Sequence, residues 1–134
     1  MHRGVARNVK GERVRLALLE ARPSGLSTRQ LAAATGMSTN QVRDGLTEIR
    51  ERAAIEHLTP LTWTRPGGHC FSEEPADWIA YERTQVHTNL TRISRLIKGT
   101  AHPHAELEPH DDWIRLVLDQ LNGVRAMLEA VTRQ

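Results

Sequence analysis

Residues 26–52, LSTRQLAAATGMSTNQVRDGLTEIRER, carry two helix-start signals in tandem. Ser27 and Gln30 have capping-box spacing: the serine hydroxyl takes an orphan backbone N–H, and the glutamine reaches back to the serine N–H. Leu26 and Leu31 flank that box as a hydrophobic staple. The device then repeats, with Ser38 and Gln41 as the box and Met37 and Val42 as the staple. Between the two lies Ala32-Ala33-Ala34-Thr35-Gly36, a short helix closed by a glycine that tolerates the left-handed conformation. A short helix, a tight glycine turn and a longer capped helix form a helix-turn-helix pattern.

Working outward, a first helix is expected over residues 10–21, where Val14, Ala17, Leu18 and Ala21 share a face. Pro23 ends it, and Pro23-Ser24-Gly25 makes a turn. The second helix covers roughly residues 28–35 and the third 39–52. Val42, Leu46 and Ile49 form the inward stripe of the third, and Asn40, Arg43, Thr47 and Arg50 its outer face. Beyond it, Leu61–Arg65 and His69–Glu73 read as strands of a hairpin turned by Pro66-Gly67-Gly68. That register pairs Trp63 with Phe71, places both with Leu61 on a core face, and leaves Arg65 and His69 at the tip. Cys70 is expected to be an ordinary thiol within the strand.

Residues 10–75 resemble the winged helix-turn-helix of bacterial DNA-binding proteins of the transcriptional-regulator type. The resemblance rests on the tandem capped helices, the Ala-rich turn before Gly36 and the hairpin that follows. It implies that the helix from Thr39 is a recognition helix lying in the major groove, with the hairpin as a wing on the backbone. Arginine grips guanine and asparagine grips adenine through paired hydrogen bonds, so the outer face suits base edges. The expected DNA-contacting residues are Ser38, Thr39, Asn40, Gln41, Arg43, Thr47 and Arg50, with Arg29 on the helix before and Arg65 and His69 on the wing. Asp44, Glu48 and Glu51 work against this unless they face away from phosphate.

Charge is unevenly spread. Residues 1–70 hold 11 Lys+Arg and 6 Asp+Glu, a balance of +5, and residues 71–134 hold 7 and 10, a balance of −3. The basic half is the helix-turn-helix half, which fits a polyanionic partner. Residues 1–9 are basic and aperiodic and are expected to be a flexible arm, with Arg3 and Arg7 the groups that would reach a phosphate. The chain has one cysteine, so no internal disulfide framework is expected, in keeping with a reducing cytoplasm; the resemblance to DNA-binding proteins further implies a nucleoid-associated location. No apolar run approaches the ~20 residues of a membrane span, and no signal peptide is apparent.

Residues 76–134 read as a helical dimerisation region. Pro75 breaks the chain, and a fourth helix is expected from near Ala76 to about Lys98, stopped by Gly99. Ile79, Val86, Leu90, Ile93 and Ile97 form a partial heptad seam on it. Residues 100–110, TAHPHAELEPH, read as a linker bracketed by Pro103 and Pro109. A fifth helix starts at Asp111 or Asp112 and carries an unbroken seam of Ile114, Val117, Leu121, Val124, Leu128 and Val131. His102, His104 and His110 are metal-ligand types, but their spacing fits no zinc pattern and no metal or cofactor is expected.

No phosphate loop, dinucleotide fingerprint, nucleophile elbow or helical His-Glu-x-x-His occurs, and nothing reads as an enzyme. The expectation is a mostly α chain: a winged helix-turn-helix of three helices plus a hairpin, then two long C-terminal helices. Its function would be sequence-specific binding of double-stranded DNA by a homodimeric transcriptional regulator, with any small-molecule effector left open. A plasmid or phage protein of segregation, replication or packaging would use the same parts. A winged-helix protein-interaction module without DNA binding is the reading from another class; steep salt dependence of duplex binding separates the two.

Overall fold

A computed structural model describes residues 6–134. The chain is mostly helical, with one small antiparallel sheet among the described residues. It divides into two compact units, one ending at Tyr81 and the other running Glu82–Gln134.

In the first unit α1 spans Arg7–Ala21 and α2 Thr28–Thr35. A third helix, α3 (39–57), starts as regular α-helix at Thr39, passes through a π turn at Ile49–Ala53 and resumes over Ala54–His57. Both capping boxes are formed, each in both directions. Gly36 closes α2 at φ +72°, as the turn requires. α1 begins three residues earlier than the apolar pattern implied, with Ala6 as its N-cap. Residues 7–9 of the expected arm are therefore helical, and the rest of that expectation, Arg3 included, falls on residues 1–5, outside the described residues. α3 also runs on past residue 52, because a π turn keeps the helix going where the regular period breaks. It ends at Leu58, held at φ +51° without the freedom of a glycine.

The core of this unit is one cluster: Val14, Leu18, Leu31, Met37, Val42, Leu46, Ile49, Ala53 and Phe71. α1 and α3 cross at Gly11 and Gly45. A Cβ on Gly45 would stand 2.8 Å from the Lys10 carbonyl oxygen and from Val14, and one on Gly11 2.6 Å from Glu48 Cγ. Only hydrogen fits at those positions, which lets the two backbones approach.

Strand β1 (Thr62–Thr64) pairs antiparallel with β2 (Gly68–Cys70), with Trp63 opposite His69. The expected pairing of Trp63 with Phe71 is therefore displaced, and the turn is Arg65-Pro66-Gly67. The cause lies on the far edge of β2. Leu26 pairs there with His69 through reciprocal 2.8 Å backbone hydrogen bonds. Gly68, at φ +73°, lets the Leu26 backbone come within 2.6 Å of where a Cβ would be. A two-stranded hairpin alone is marginal in water, and this third segment ties it to the helices. β1 is the outer edge, so Trp63 is exposed there rather than in the core.

A fourth helix, α4 (75–107), begins in the first unit at Pro75. Trp78 Nε1 donates to the Ser72 carbonyl at 2.8 Å, and Ser72 Oγ donates to Asp77 Oδ2 at 2.6 Å, joining the strand end to the helix start. Arg22 Nε donates to the Phe71 carbonyl at 2.9 Å and its guanidinium pairs with Glu73.

In the second unit α4 continues through a π turn at Ile97–Ala101 and a last segment His102–Leu107. Gly99 does not stop it, and residues 100–107 are helix, not linker. Pro103 has no N–H to give the carbonyl one turn back, and the π turn immediately before it re-routes the ladder around that gap. Helix α5 covers Asp112–Thr132, and Asp111 caps it by accepting the Trp113 N–H at 2.8 Å. α4 and α5 pack as a hairpin that buries Ile97, Ala101 and Ile114. None of the helices among the described residues is long and apolar enough to cross a membrane.

Candidate nucleic-acid interface

The capping box that starts α3 uses up two of the residues expected to contact DNA. Ser38 Oγ accepts from Gln41 N at 3.2 Å and Gln41 Oε1 accepts from Ser38 N at 2.9 Å. They fix the helix entry. Thr39 and Asn40 stand exposed on the first turn, where the free N–H groups and the dipole favour an anion. Arg43 Nη1 donates to Asn40 Oδ1 at 3.2 Å, so the two side chains lie together on the open face. Thr47 is exposed, and its Oγ1 donates back to the Arg43 carbonyl at 3.0 Å. Arg50 is exposed one turn further on.

The acids on α3 point the other way. Asp44 pairs with Lys10 at 2.9 Å and Glu51 with Arg7 at 2.6 Å. Glu48 is buried between Arg7 at 3.5 Å and Arg52. Arg52 also bonds Glu56. Arg7, expected on a loose arm, is thus a helical residue paired to α3. By contrast Arg29, Arg43, Arg50 and Arg65 have no ion-pair partner among the described residues. Arg29 is exposed on the first turn of α2, and Arg65 opens the exposed turn of the hairpin. No sequence pattern announces the cross-helix pairs, because Lys10 and Asp44 are remote in the chain and meet only through the glycine crossing.

His69 does not belong to this surface. It is buried at 7 % exposure, with Nε2 3.2 Å from Thr28 Oγ1 and no partner for Nδ1. Alternation along a strand sends residues two apart to one side, so the register that buries Phe71 also buries His69. Burial, helped by the nearby positive charge of Arg50, lowers its pKa to about 4. At neutral pH it is an uncharged structural side chain. Cys70 is half-buried, and burial raises its thiol pKa, which makes it a poor nucleophile.

The residues expected at a dimer interface are divided. Ile97 and Ile114 are closed inside the helical hairpin. Val86, Leu90, Ile93, Val117, Leu121, Val124 and Leu128 are half-buried, and Ile79, in the first unit, is 48 % exposed. His102 lies 3.6 Å from Glu106 and His104 4.0 Å from Asp111, and no group of three metal-ligand residues converges among the described residues. Comparison of the chain with protein-family models, with curated proteins and with solved structures finds no match.

Proposed function

We propose that the first unit is a winged helix-turn-helix domain that binds double-stranded DNA with sequence preference, and that the chain acts as a two-copy transcriptional regulator. One observation carries this reading: the sorting of charge on α3. Its acids Asp44, Glu48 and Glu51 are neutralised, two of them wholly by Lys10 and Arg7 of α1, while Asn40, Arg43, Thr47 and Arg50 remain on the open face. A face so sorted presents hydrogen-bonding groups for base edges with no unpaired carboxylate among them. The exposed Arg65 in the hairpin turn and Arg29 on α2 add charge for the phosphate backbone. His69 is left out of this contact set because it is buried and neutral.

Selection of bound duplexes from a random pool, followed by fluorescence anisotropy on the winning site, tests the reading. Arg43→Ala is expected to weaken that site by about 1–3 kcal/mol and to relax preference at one position, with helical content unchanged. Arg65→Ala is expected to weaken all duplexes alike and to make the salt slope shallower by about one unit. If no duplex emerges from the pool and residual binding is equal for all sequences, the regulator reading fails.

A further inference from the structure

α5 carries two seams at heptad spacing, one apolar throughout and one apolar toward its two ends, and the hairpin uses the first. Ile114, Val117, Leu121 and Leu128 are buried or half-buried on one side. On the neighbouring side Trp113, Leu116, Gln120, Gly123, Met127 and Ala130 follow at alternating spacings of three and four. That is a strict heptad seam, and it is open: Trp113 is 67 %, Leu116 58 % and Met127 65 % exposed. A Cβ on Gly123 would meet nothing within 4 Å. A tryptophan, a leucine and a methionine aligned in water on one helix mark a surface that a partner covers.

We propose that this seam is the interface between two copies of the chain, with α5 packed antiparallel on the α5 of the second copy about a two-fold axis passing between residues 121 and 122. The partner is identified by self-complementarity. Run antiparallel in that register, Trp113 meets the partner's Ala130, Leu116 meets the partner's Met127, and Gln120 meets the partner's Gly123. Each large side chain thus faces a small one or a flexible one, as packing two helices requires. Charge agrees with volume. Asp112 and Arg133 are exposed and have no ion-pair partner among the described residues. In this register Asp112 flanks the seam opposite the partner's Arg133, and the two-fold makes the pair twice. A parallel pairing would instead set Trp113 against Trp113, Gly123 against Gly123 and Asp112 against Asp112. The arrangement also differs from a dimer built on the Ile114–Leu128 seam, which α4 already covers in part.

The inference rests on the two-copy part of the function proposed above and not on DNA binding, so its test is made without DNA. Sedimentation of the full chain measures the dimer constant. Trp113→Glu with Met127→Arg is expected to raise that constant by about 30-fold or more. Both side chains are mostly in water in the single chain, so the variant keeps its fold, which circular dichroism checks. Asp112→Arg is expected to weaken the dimer and Arg133→Asp, added to it, to restore it. Register is read by crosslinking in a Cys70→Ser background. Mixing Leu116→Cys chains with Met127→Cys chains should give a disulfide-linked dimer on mild oxidation, whereas neither variant alone should. Crosslinking of Leu116→Cys chains to themselves overturns the antiparallel register. An undiminished dimer in the Trp113→Glu, Met127→Arg chain overturns the seam while leaving a two-copy regulator standing. A chain monomeric throughout the micromolar range overturns both, and duplex binding measured separately then decides what remains of the DNA reading.

Discussion

The two units differ in what they do with apolar side chains. The first gathers nine of them into one cluster, fed by three helices and the end of a hairpin. The second buries Ile97, Ala101 and Ile114 and leaves Leu96, Leu107, Trp113, Leu116, Met127 and Val131 at 47 % exposure or more. Two helices enclose no volume, so a helical hairpin can sink one stripe of each helix and no more. The first unit also leaves Leu16, Ile55 and Leu58 at 52 % exposure or more, but they lie outside its closed cluster. In the second unit Trp113, Leu116 and Met127 line up on one face of α5, the face proposed above as the seam between two copies.

That contrast can be broken most forcefully from the core side. Phe71→Ala removes a fully buried ring from the first unit and is expected to cost about 3–5 kcal/mol in urea unfolding. Leu116→Ala, made at concentrations where the chain is monomeric, is expected to change stability by no more than about 0.5 kcal/mol. Equal losses would mean that the second unit has a core of its own.

Two glycines sharpen the comparison with opposite signs. Gly45→Ala drives a methyl into the Lys10 carbonyl and Val14, and should destabilise by about 1–3 kcal/mol. Gly99→Ala, where a Cβ would meet nothing within 4 Å, should stabilise by up to about 1 kcal/mol through helix propensity. The same chemical change thus reports whether its surroundings are closed or open.

A third contrast is one of pH. In the folded chain His69 titrates at about 4, below its ordinary 6.5. Between those values the unfolded chain binds a proton that the folded chain refuses, so the contribution is complete above pH 6.5 and lost as pH falls toward 4. Unfolding curves at pH 7 and pH 4.5 should show a larger loss for the unaltered chain than for His69→Gln. An identical loss in both would show that the His69 site admits a proton freely. The second unit has histidines too, but His102 and His110 are exposed, and their replacement by glutamine should leave this difference intact.

What could be read in the sequence was what depends on neighbours in the chain. Ser27 with Gln30 and Ser38 with Gln41 marked two helix starts to the residue, and the Asp111-Asp112 pair marked a third to within one residue. The Val42, Leu46 and Ile49 stripe was legible because a helix repeats its faces. What could not be read depends on residues that meet only after folding. Trp63 is exposed and His69 buried because Leu26 occupies the inner edge of the hairpin, and nothing near either residue says so. Gly99 and Pro103 look like breakers, and a π turn cancels the signal. In the candidate interface the outer arginines were visible at once. The reason that Asp44, Glu48 and Glu51 do not spoil it lies in Arg7 and Lys10, on a different helix.

The reciprocal pair between Leu26 and His69 has a consequence for exchange with solvent. Those two amide protons join segments that are far apart in the chain, on either side of α2 and α3. Fraying of the hairpin tip does not free them, since Leu26 sits on the inner edge of β2, away from β1. They are released to deuterium when β2 leaves the helices, an event that also uncovers Phe71 and opens the core. Their exchange therefore clocks the opening of the whole first unit, and it does so from a loop residue and a strand residue, not from the middle of a helix.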